Sequence, residues 1–470
     1  MRRAALPIVL LVVALVLGGL AWQAGSDRAA ATGTTAHGAA TPVLSVRRIP
    51  EWLASPGADA RLRTAVDAVV AASPEATCLT VSAGGRTIYE HNPVQPLPPA
   101  STEKLVTAVV ALDQLGPGSR FHTQLVAPAG MVNGEVQGNA FLVGGGDPLL
   151  STIDYSDHFE NQPQVATSLE SFADKLARSG LKRITGRLLG DESRYDQVRA
   201  VATWPPRFVT QNESGPLSAL TVNDNFATFP ANQPVGVTIA GTQAADPPSF
   251  AAQKLGELLQ ARGVRVEGGY GAGTAPKGAK RIGLINSPPL RGVVQELLSE
   301  SDNQTGELLV KELGRVKGGA GSTAAGLQVI TRTLTRLHLV APGLAVNDGS
   351  GLDEGDRTTC RLLTALLDRA GRRSPIGDAL PVAGKTGTLV NRFLASPGKG
   401  RLRAKTGTLN NATALSGFVD TVPGATLTFS YIATGQPVNE ALLQIQEVLG
   451  AALVGYPEGP PLAMLGPQAS

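Results

Sequence analysis

Pro98-Pro99-Ala100-Ser101-Thr102-Glu103-Lys104, followed by the apolar run 105–115, is the stretch around which the chain is organised. Two prolines interrupt whatever precedes, and Leu105, Val106, Ala108, Val109, Val110, Ala111 and Leu112 predict a well-buried helix. Ser101 then stands at or near the helix N-terminus, where free backbone N–H groups and the positive end of the dipole favour negative charge on an attacking oxygen. Lys104 shares a helix face with it, roughly 5–6 Å away at Cβ. A serine beside a lysine kept neutral by burial is a nucleophile with its base. The plain alternative is an N-cap serine with a lysine reaching to water. Two more copies of the spacing fit that alternative: Ser179–Lys182 straddles Gly180 after a helical run, and Ser396–Lys399 encloses Pro397 and Gly398. Only Ser101–Lys104 opens an apolar helix.

The chain has 470 residues, room for two or three domains with real cores. Hydrophobic content of 42% against 17% charged describes a globular protein rather than a disordered or fibrous one. Aromatics at 4% argue against stacking platforms for sugars or single-stranded nucleic acid. A net charge of +3, with no basic run, makes nucleic acid an unexpected partner. His37, His91, His122, His158 and His338 are scattered, so no metal, cofactor or histidine triad is expected. Met1-Arg2-Arg3 precedes an apolar run from Ala4 to about Trp22, so residues 1–25 are expected to be a signal peptide or an uncleaved signal anchor. The protein is thus expected outside the cytoplasmic membrane, secreted or held by that segment, its one membrane contact. Cys78 and Cys360 are the only cysteines; in an exported chain they form a disulfide or stay as two buried thiols, and export favours the bridge.

Residues 26–44 read as an Ala-, Gly- and Thr-rich spacer. A helix from Arg61 to Ala72 and a hairpin from Cys78 to Glu90, turning at Gly84-Gly85, come before the Ser101 helix, which ends near Gly116. From about Gln124 the texture changes to short strands: Gln124–Ala127, Glu135–Val143 around an Asn133-Gly134 turn, Arg183–Leu189, several between Ala219 and Gly241, and Val264–Tyr270. Helices are expected over Leu169–Ser179 and Phe250–Ala261. Residues 126–279 are therefore read as an inserted, mostly β domain. Helical texture then returns over Leu290–Leu298, Thr305–Leu313, Ser322–Leu337 and Thr358–Ala370. Strands at Ala412–Asp420 and Thr426–Ala433, then an apolar helix at Glu440–Val454, close the chain. The expected fold is α/β (α+β): residues 45–125 and 280–470 make one domain, a sheet of the earliest and latest segments with helices packed on both sides.

Three motifs follow in order: Ser101-x-x-Lys104, Ser301-Asp302-Asn303 and Lys405-Thr406-Gly407. Each is weak alone; together they match the set used by serine acyl-transferases that react with penicillin. A second serine and an amide on a short connection between helices can relay a proton and hold a substrate amide. A second lysine on a strand attracts a substrate carboxylate and lowers the pKa of the first by like-charge repulsion. Lys385-Thr386-Gly387 is a second copy of the last motif. It is not a nucleotide loop, because the required glycine is Ala379, and it reads as a turn.

With Pro99–Leu105, Gly145-Gly146-Asp147-Pro148, 217–223 (LSALTVN), Ser301-Asp302-Asn303, Asp348-Gly349-Ser350-Gly351-Leu352 and 403–409 (RAKTGTL) in this order, the chain resembles the D-alanyl-D-alanine carboxypeptidases of the penicillin-binding protein 4 type, peptidase family S13. The resemblance covers nearly everything after about residue 45. It implies a serine DD-peptidase/β-lactamase-like domain with an insertion, acting on peptidoglycan stem peptides and acylated by β-lactam antibiotics. It implies that Ser101 attacks the bond between two terminal D-alanines and that Lys104 takes its proton. Ser301 and Asn303 would assist proton transfer and hold the amide. Lys405 and Thr406 would bind the carboxylate, Gly407 would line the substrate site beside them, and the N–H groups of Ser101 and Thr408 would form the oxyanion hole. Asp191, closing 186–191 (GRLLGD), resembles an inserted-domain acid that meets the amino end of a diaminopimelate-type side chain. The chain departs from the family at Asp353-Glu354-Gly355-Asp356, acidic where an arginine is often carried, and its insertion is shorter than in members with two inserted domains. The expected activity is carboxypeptidase, with endopeptidase action left open. A β-lactamase and a catalytically silent wall-binding scaffold are the rivals.

Overall fold

Glycine pairs, short caps and alternating burial set the elements of this chain, which a computed structural model describes over residues 50–234, 238–422, 424–435 and 437–457. The expected signal segment 1–25 and the spacer 26–44 lie outside the described residues. Among the described residues no helix is long and apolar enough to cross a membrane. Helix α1 (Pro50–Ala71) leads to the hairpin β1 (Ala76–Ala83) and β2 (Arg86–His91), turned by Gly84 and Gly85 at φ +56° and +79°. A 3₁₀ turn at Ala100–Glu103 runs straight into α2 (Lys104–Leu115), which Gly116 ends at φ +86°. There follow β3 (His122–Ala127), β4 (Ala140–Val143), α3 (Leu169–Arg178), β5 (Leu188–Asp191), α4 (Pro247–Gln260), β6 (Tyr270–Ala272) and β7 (Lys280–Asn286). Helices α5 (Leu290–Ser299), α6 (Asn303–Leu313), α7 (Thr323–Arg336) and α8 (Cys360–Ala370) precede β8 (Leu402–Leu409), β9 (Ala412–Asp420), β10 (Thr426–Thr434) and the last helix α9 (Glu440–Val454).

The main sheet has the order β8-β9-β10-β1-β2, antiparallel throughout, so the earliest and latest segments share it. Side chains alternate across a strand, and here both faces are covered. Cys78 and its partner Ile432 face the core made with α2, α5, α6, α7 and α8. Leu79 and Tyr431, one residue along, face the core made with α1 and α9. Cys78 on β1 is bridged to Cys360, the first residue of α8, with the Cα atoms 5.9 Å apart and 282 residues between them in sequence.

The block between β3 and β7 carries its own sheet, in the order β6-β5-β4-β3-β7, with α3 and α4 packed on it. β3 pairs antiparallel with both β4 and β7, whereas β4–β5 and β5–β6 are parallel. Two differences from the sequence reading have local causes. The expected strand 183–189 divides at Gly186, where a Cβ would stand 2.5 Å from the Gly138 carbonyl carbon; Arg183–Ile184 joins a separate small sheet. Among the described residues between Ala219 and Gly241, Phe226–Thr228 is the one strand, and the stretch just before it is turned by Asn223, Asp224 and Asn225, all at positive φ. The block is thus less purely β than its texture suggests: α3 and α4 supply much of its core. β3 and β7 pair with each other where the chain enters and leaves the block, His122 opposite Asn286.

Replacing Cys78 and Cys360 together by alanine is expected to lower resistance to urea by about 2–4 kcal/mol without loss of far-ultraviolet signal. A urea midpoint equal to that of the parent chain would mean the bridge holds nothing together.

Candidate active site

Ser101 is presented by a turn that costs energy to hold. Ala100 before it is fully buried at φ +47°, a left-handed conformation worth about 1–3 kcal/mol of strain in a non-glycine residue. Thr102 Oγ1 ties the turn to Pro99 O at 2.7 Å. Strand β8 passes against it so closely that a Cβ on Gly407 would stand 2.8 Å from Pro99 O and 3.1 Å from Ala100 Cβ. Glycine is the residue that permits this approach.

Lys104 is fully buried one helical turn on. Its Nζ lies 3.0 Å from Ser101 Oγ, 2.7 Å from Asn303 Oδ1 and 2.7 Å from Ser350 O. A neutral amine has two N–H bonds and one lone pair. Two N–H bonds directed at Asn303 and Ser350 leave the lone pair for the Ser101 hydroxyl proton. Burial lowers the Lys104 pKa to about 8, against the opposing charges of Asp348, Asp302, Glu307 and Glu213.

Ser301 and Asn303 bracket the start of α6. Asp302 caps that helix, its Oδ1 accepting Gln304 N at 2.9 Å and its Oδ2 Thr305 N at 3.2 Å. The cap fixes its two neighbours, with Ser301 at φ +62°. Lys405 on β8, also fully buried, donates to Ser301 Oγ at 2.7 Å and to Thr406 O at 2.9 Å. Burial, and then the charge of Lys104, pushes its amine well below the ordinary lysine range. Thr406 and Thr408, on the opposite face of β8 from Lys405, line the cleft with Ser101, Ser301 and Asn303. The cleft holds about 420 Å³ and its far wall comes from the inserted block. Thr406 Oγ1 donates to Thr388 Oγ1 at 2.9 Å.

Ser101, Lys104, Ser301, Asn303, Lys405, Thr406, Gly407 and Thr408 are therefore brought together. Asp191 is not. It is buried at the end of β5, where its two carboxylate oxygens accept the N–H groups of Ser193 at 2.8 Å and Ala275 at 2.7 Å, and it does not line the cleft. Its place is that of a strand-end turn, with each carboxylate oxygen engaged by a backbone N–H. Lys385 is exposed, and Thr386 Oγ1 closes its turn by accepting Val382 N at 3.0 Å. Glu354 forms an exposed ion pair with Arg207 of the inserted block.

The sequence reading missed the floor beneath Lys104. Asp348 accepts from the N–H groups of Ser350, Gly351 and Asp353, and from Trp204 Nε1 of the inserted block at 2.8 Å. These bonds shape the loop that aims Ser350 O at Lys104. Glu307 Oε1 accepts Gly349 N at 3.0 Å on the same loop. Burial, then the charge of Asp348, raises Glu103 and Glu307 to about 8. The signal was the acids of 348–356 and Glu103 beside the nucleophile; the backbone oxygen of Ser350 left none.

A family model described as D-Ala-D-Ala carboxypeptidase 3 (S13) family matches residues 62–236 and 232–451. The chain is 30% identical over 455 residues to the D-alanyl-D-alanine carboxypeptidase of Actinomadura sp. (strain R39), covering 80% of this chain and 81% of that protein. A carboxypeptidase of Mycobacterium tuberculosis is 29% identical over 79% of each chain. Among solved structures, penicillin binding protein 4 of Haemophilus influenzae shares the fold with a TM-score of 0.67 at 21% identity, over 83% of this chain and 99% of that one.

The amine must be uncharged to take the Ser101 proton, and it is a cation below about pH 8. Acylation of Ser101 should therefore fall about tenfold per unit as pH drops below that value and level off above it. Stopped-flow acylation rates measure this; a rate independent of pH from roughly 5 to 9 would remove Lys104 as the base.

Proposed function

The chain belongs to the D-Ala-D-Ala carboxypeptidase (S13) family, and from that premise we propose that it is a penicillin-binding serine DD-peptidase that cuts the terminal D-Ala-D-Ala bond of peptidoglycan stem peptides. The observation that carries the reading is the buried Lys104 amine within hydrogen-bond reach of Ser101 Oγ and Asn303 Oδ1, beside the Ser301–Lys405 pair.

Ser101 Oγ attacks the carbonyl carbon of the penultimate D-alanine while its proton passes to Lys104. The N–H groups of Ser101 and Thr408 receive the oxyanion, each worth about 3–4 kcal/mol. Collapse of the tetrahedral adduct breaks the C–N bond, and the leaving amine takes the proton from Lys104 through Ser301. Lys405 is buried behind Thr406, so it acts on the terminal carboxylate by its field and through Ser301, while Thr406 and Thr408 offer hydroxyls in the cleft. Water then releases the acyl-enzyme, and the product is the shortened stem peptide. The inserted block supplies one wall of the cleft into which the stem peptide would lie. The exported location is part of the same reading. It is supported by the basic-then-apolar start of the sequence and by the Cys78–Cys360 bridge. Protease added to intact cells should digest the chain; full protection would place it inside.

A labelled penicillin tests the assignment. The parent chain should form a long-lived adduct that Ser101→Ala abolishes. Rapid turnover would make the protein a β-lactamase, and absence of an adduct a silent scaffold. Lys405→Ala should cost at least about a hundredfold in kcat/KM on a D-Ala-D-Ala peptide, while Lys385→Ala stays within about threefold. The opposite ranking would transfer the motif to Lys385.

A further inference from the structure

Lys385-Thr386-Gly387-Thr388 repeats the spacing of Lys405-Thr406-Gly407-Thr408, and of its four residues Thr388 lines the active cleft. Lys385 and Thr386 are exposed and Gly387 is buried, whereas Thr388 is half-buried beside Thr406 and Thr408. Its hydroxyl lies 2.9 Å from Thr406 Oγ1, and among the described residues it has no other hydrogen-bond partner. Thr408 is exposed two places further along β8, and among the described residues its hydroxyl has no partner to orient it. The two hydroxyls that β8 offers to the cleft are therefore not equivalent: that of Thr406 is backed by a second hydroxyl.

The turn that carries Thr388 is fixed against β8. Ala383 N donates to Leu402 O at 2.9 Å and Ala404 N to Pro381 O at 3.1 Å, so the segment runs beside the start of the strand. Gly384 N closes the turn on Leu389 O at 2.9 Å, and Leu389 is fully buried in one core with Ala383, Phe393 and Leu402. On the other side, Gly387 at φ +54° passes the end of α5 so closely that a Cβ would stand 2.5 Å from Ser299 O. Ser299 comes two residues before Ser301. Thr388 is thereby wedged between β8 and the connection that carries the relay serine. Such support from behind is what holds a substrate-contacting side chain in one geometry.

We propose that Thr388 orients the Thr406 hydroxyl toward the terminal carboxylate of the substrate and so sets the selectivity of the site for that carboxylate. A hydroxyl has one proton to give and two lone pairs with which to receive, whereas a carboxylate only accepts. When Thr406 gives its proton to the carboxylate, the bond between the threonines runs from Thr388 to Thr406. In the structure it runs the other way. The reversal takes one rotation of each hydroxyl and breaks no other bond, because Thr388 has no second acceptor among the described residues to abandon. In the resulting chain each donor polarises the next, so Thr388 strengthens Thr406 as a donor. Lys405 adds its field from behind, through its bond to Thr406 O at 2.9 Å. Thr388 touches no reacting atom. It is a positioning residue, and it is what the second Lys-Thr-Gly copy contributes to the reaction.

The inference rests on the DD-peptidase reading, and the experiment separates the two. Acylation of the full chain by a fluorescent penicillin, which carries a carboxylate, is timed for the parent, Thr388→Val, Thr388→Ser, Thr406→Val and the double valine variant. Thr388→Val keeps the shape and loses the hydroxyl, and should acylate about tenfold more slowly; Thr388→Ser keeps the hydroxyl and should stay within about threefold of the parent. Because Thr388 acts through Thr406, adding Thr388→Val to Thr406→Val should cost less than about twofold more. With the carboxyl methyl ester of the same penicillin, followed for hours by the mass of the intact chain, Thr388→Val should match the parent within about twofold. Losses that multiply in the double variant, or an equal loss on acid and ester, would make Thr388 a structural residue and overturn the proposal. A loss below about threefold in Thr388→Val, or a Thr388→Ser chain as slow as Thr388→Val, overturns it as well. A parent chain that forms no adduct on Ser101 sinks the DD-peptidase reading itself, and this inference with it.

Discussion

A lysine amine with no exposure to water, set among three oxygens from three distant stretches of chain, is the constraint on which this molecule depends. Ser101, Asn303 and Ser350 each place one oxygen within 3.0 Å of Lys104 Nζ. An isolated buried ammonium would cost several kcal/mol of lost hydration, and the site answers by relaxing toward the neutral amine that catalysis requires. The same physics acts on the acids beneath. Glu103 and Glu307 are pushed up to about 8, so near neutral pH they hold protons and add little to the pull that keeps the amine a cation up to about pH 8. Desolvation stabilises the reactive protonation state, and the carboxylic acids keep the opposing field small.

That arrangement has to be held by strain-bearing, closely packed backbone. Ala100 and Ser301 sit in the left-handed region directly before the nucleophile and at the proton-relay serine. Each survives because its surroundings over-determine it. Ala100 is pressed by β8 through Gly407 and by the 348–352 loop through Gly351, whose Cβ would stand 1.9 Å from Ala100 O. The sheet makes this possible over long sequence distances: β1 and β10 pair in register across some 350 residues of chain, and the bridge from Cys78 to Cys360 ties the same sheet to α8.

The legible parts of the sequence were those with long periods or sharp punctuation. The run after Ser101, the Gly84-Gly85 hairpin, the helices after residue 290 and the closing strands all carry enough residues for a 3.6 or 2.0 repeat to stand out. The inserted block does not. Its strands run to as few as two residues, Arg183–Ile184 and Glu135–Val136 among them, and two residues have no period. Their parallel pairing through α3 and α4 is a tertiary choice. Asp191 misled for a related reason: an aspartate after a strand looks the same whether it faces a ligand or two backbone N–H groups. The catalytic side chains were named by their motifs, whereas Ser350 O and the Glu213 carbonyl act through backbone, which every residue has.

The inserted block is therefore part of the machinery rather than an appendage to it. Trp204 Nε1 supplies one of the donors that hold Asp348, and Thr203 bonds Asp353 on the same loop. Arg207 pairs with Glu354, and the Glu213 carbonyl takes the free N–H of the Asn303 amide. Four contacts from one segment of about ten residues clamp the loop and the amide that together position Lys104. A peptidase core cut free of the block would keep the sheet and the serine. It would lose an acceptor for Asn303 and the indole donor to a buried carboxylate, and an unpaired buried acceptor costs about 1–3 kcal/mol. The three oxygens around the amine would then lose their common geometry, so the insertion and the nucleophile form one cooperative unit.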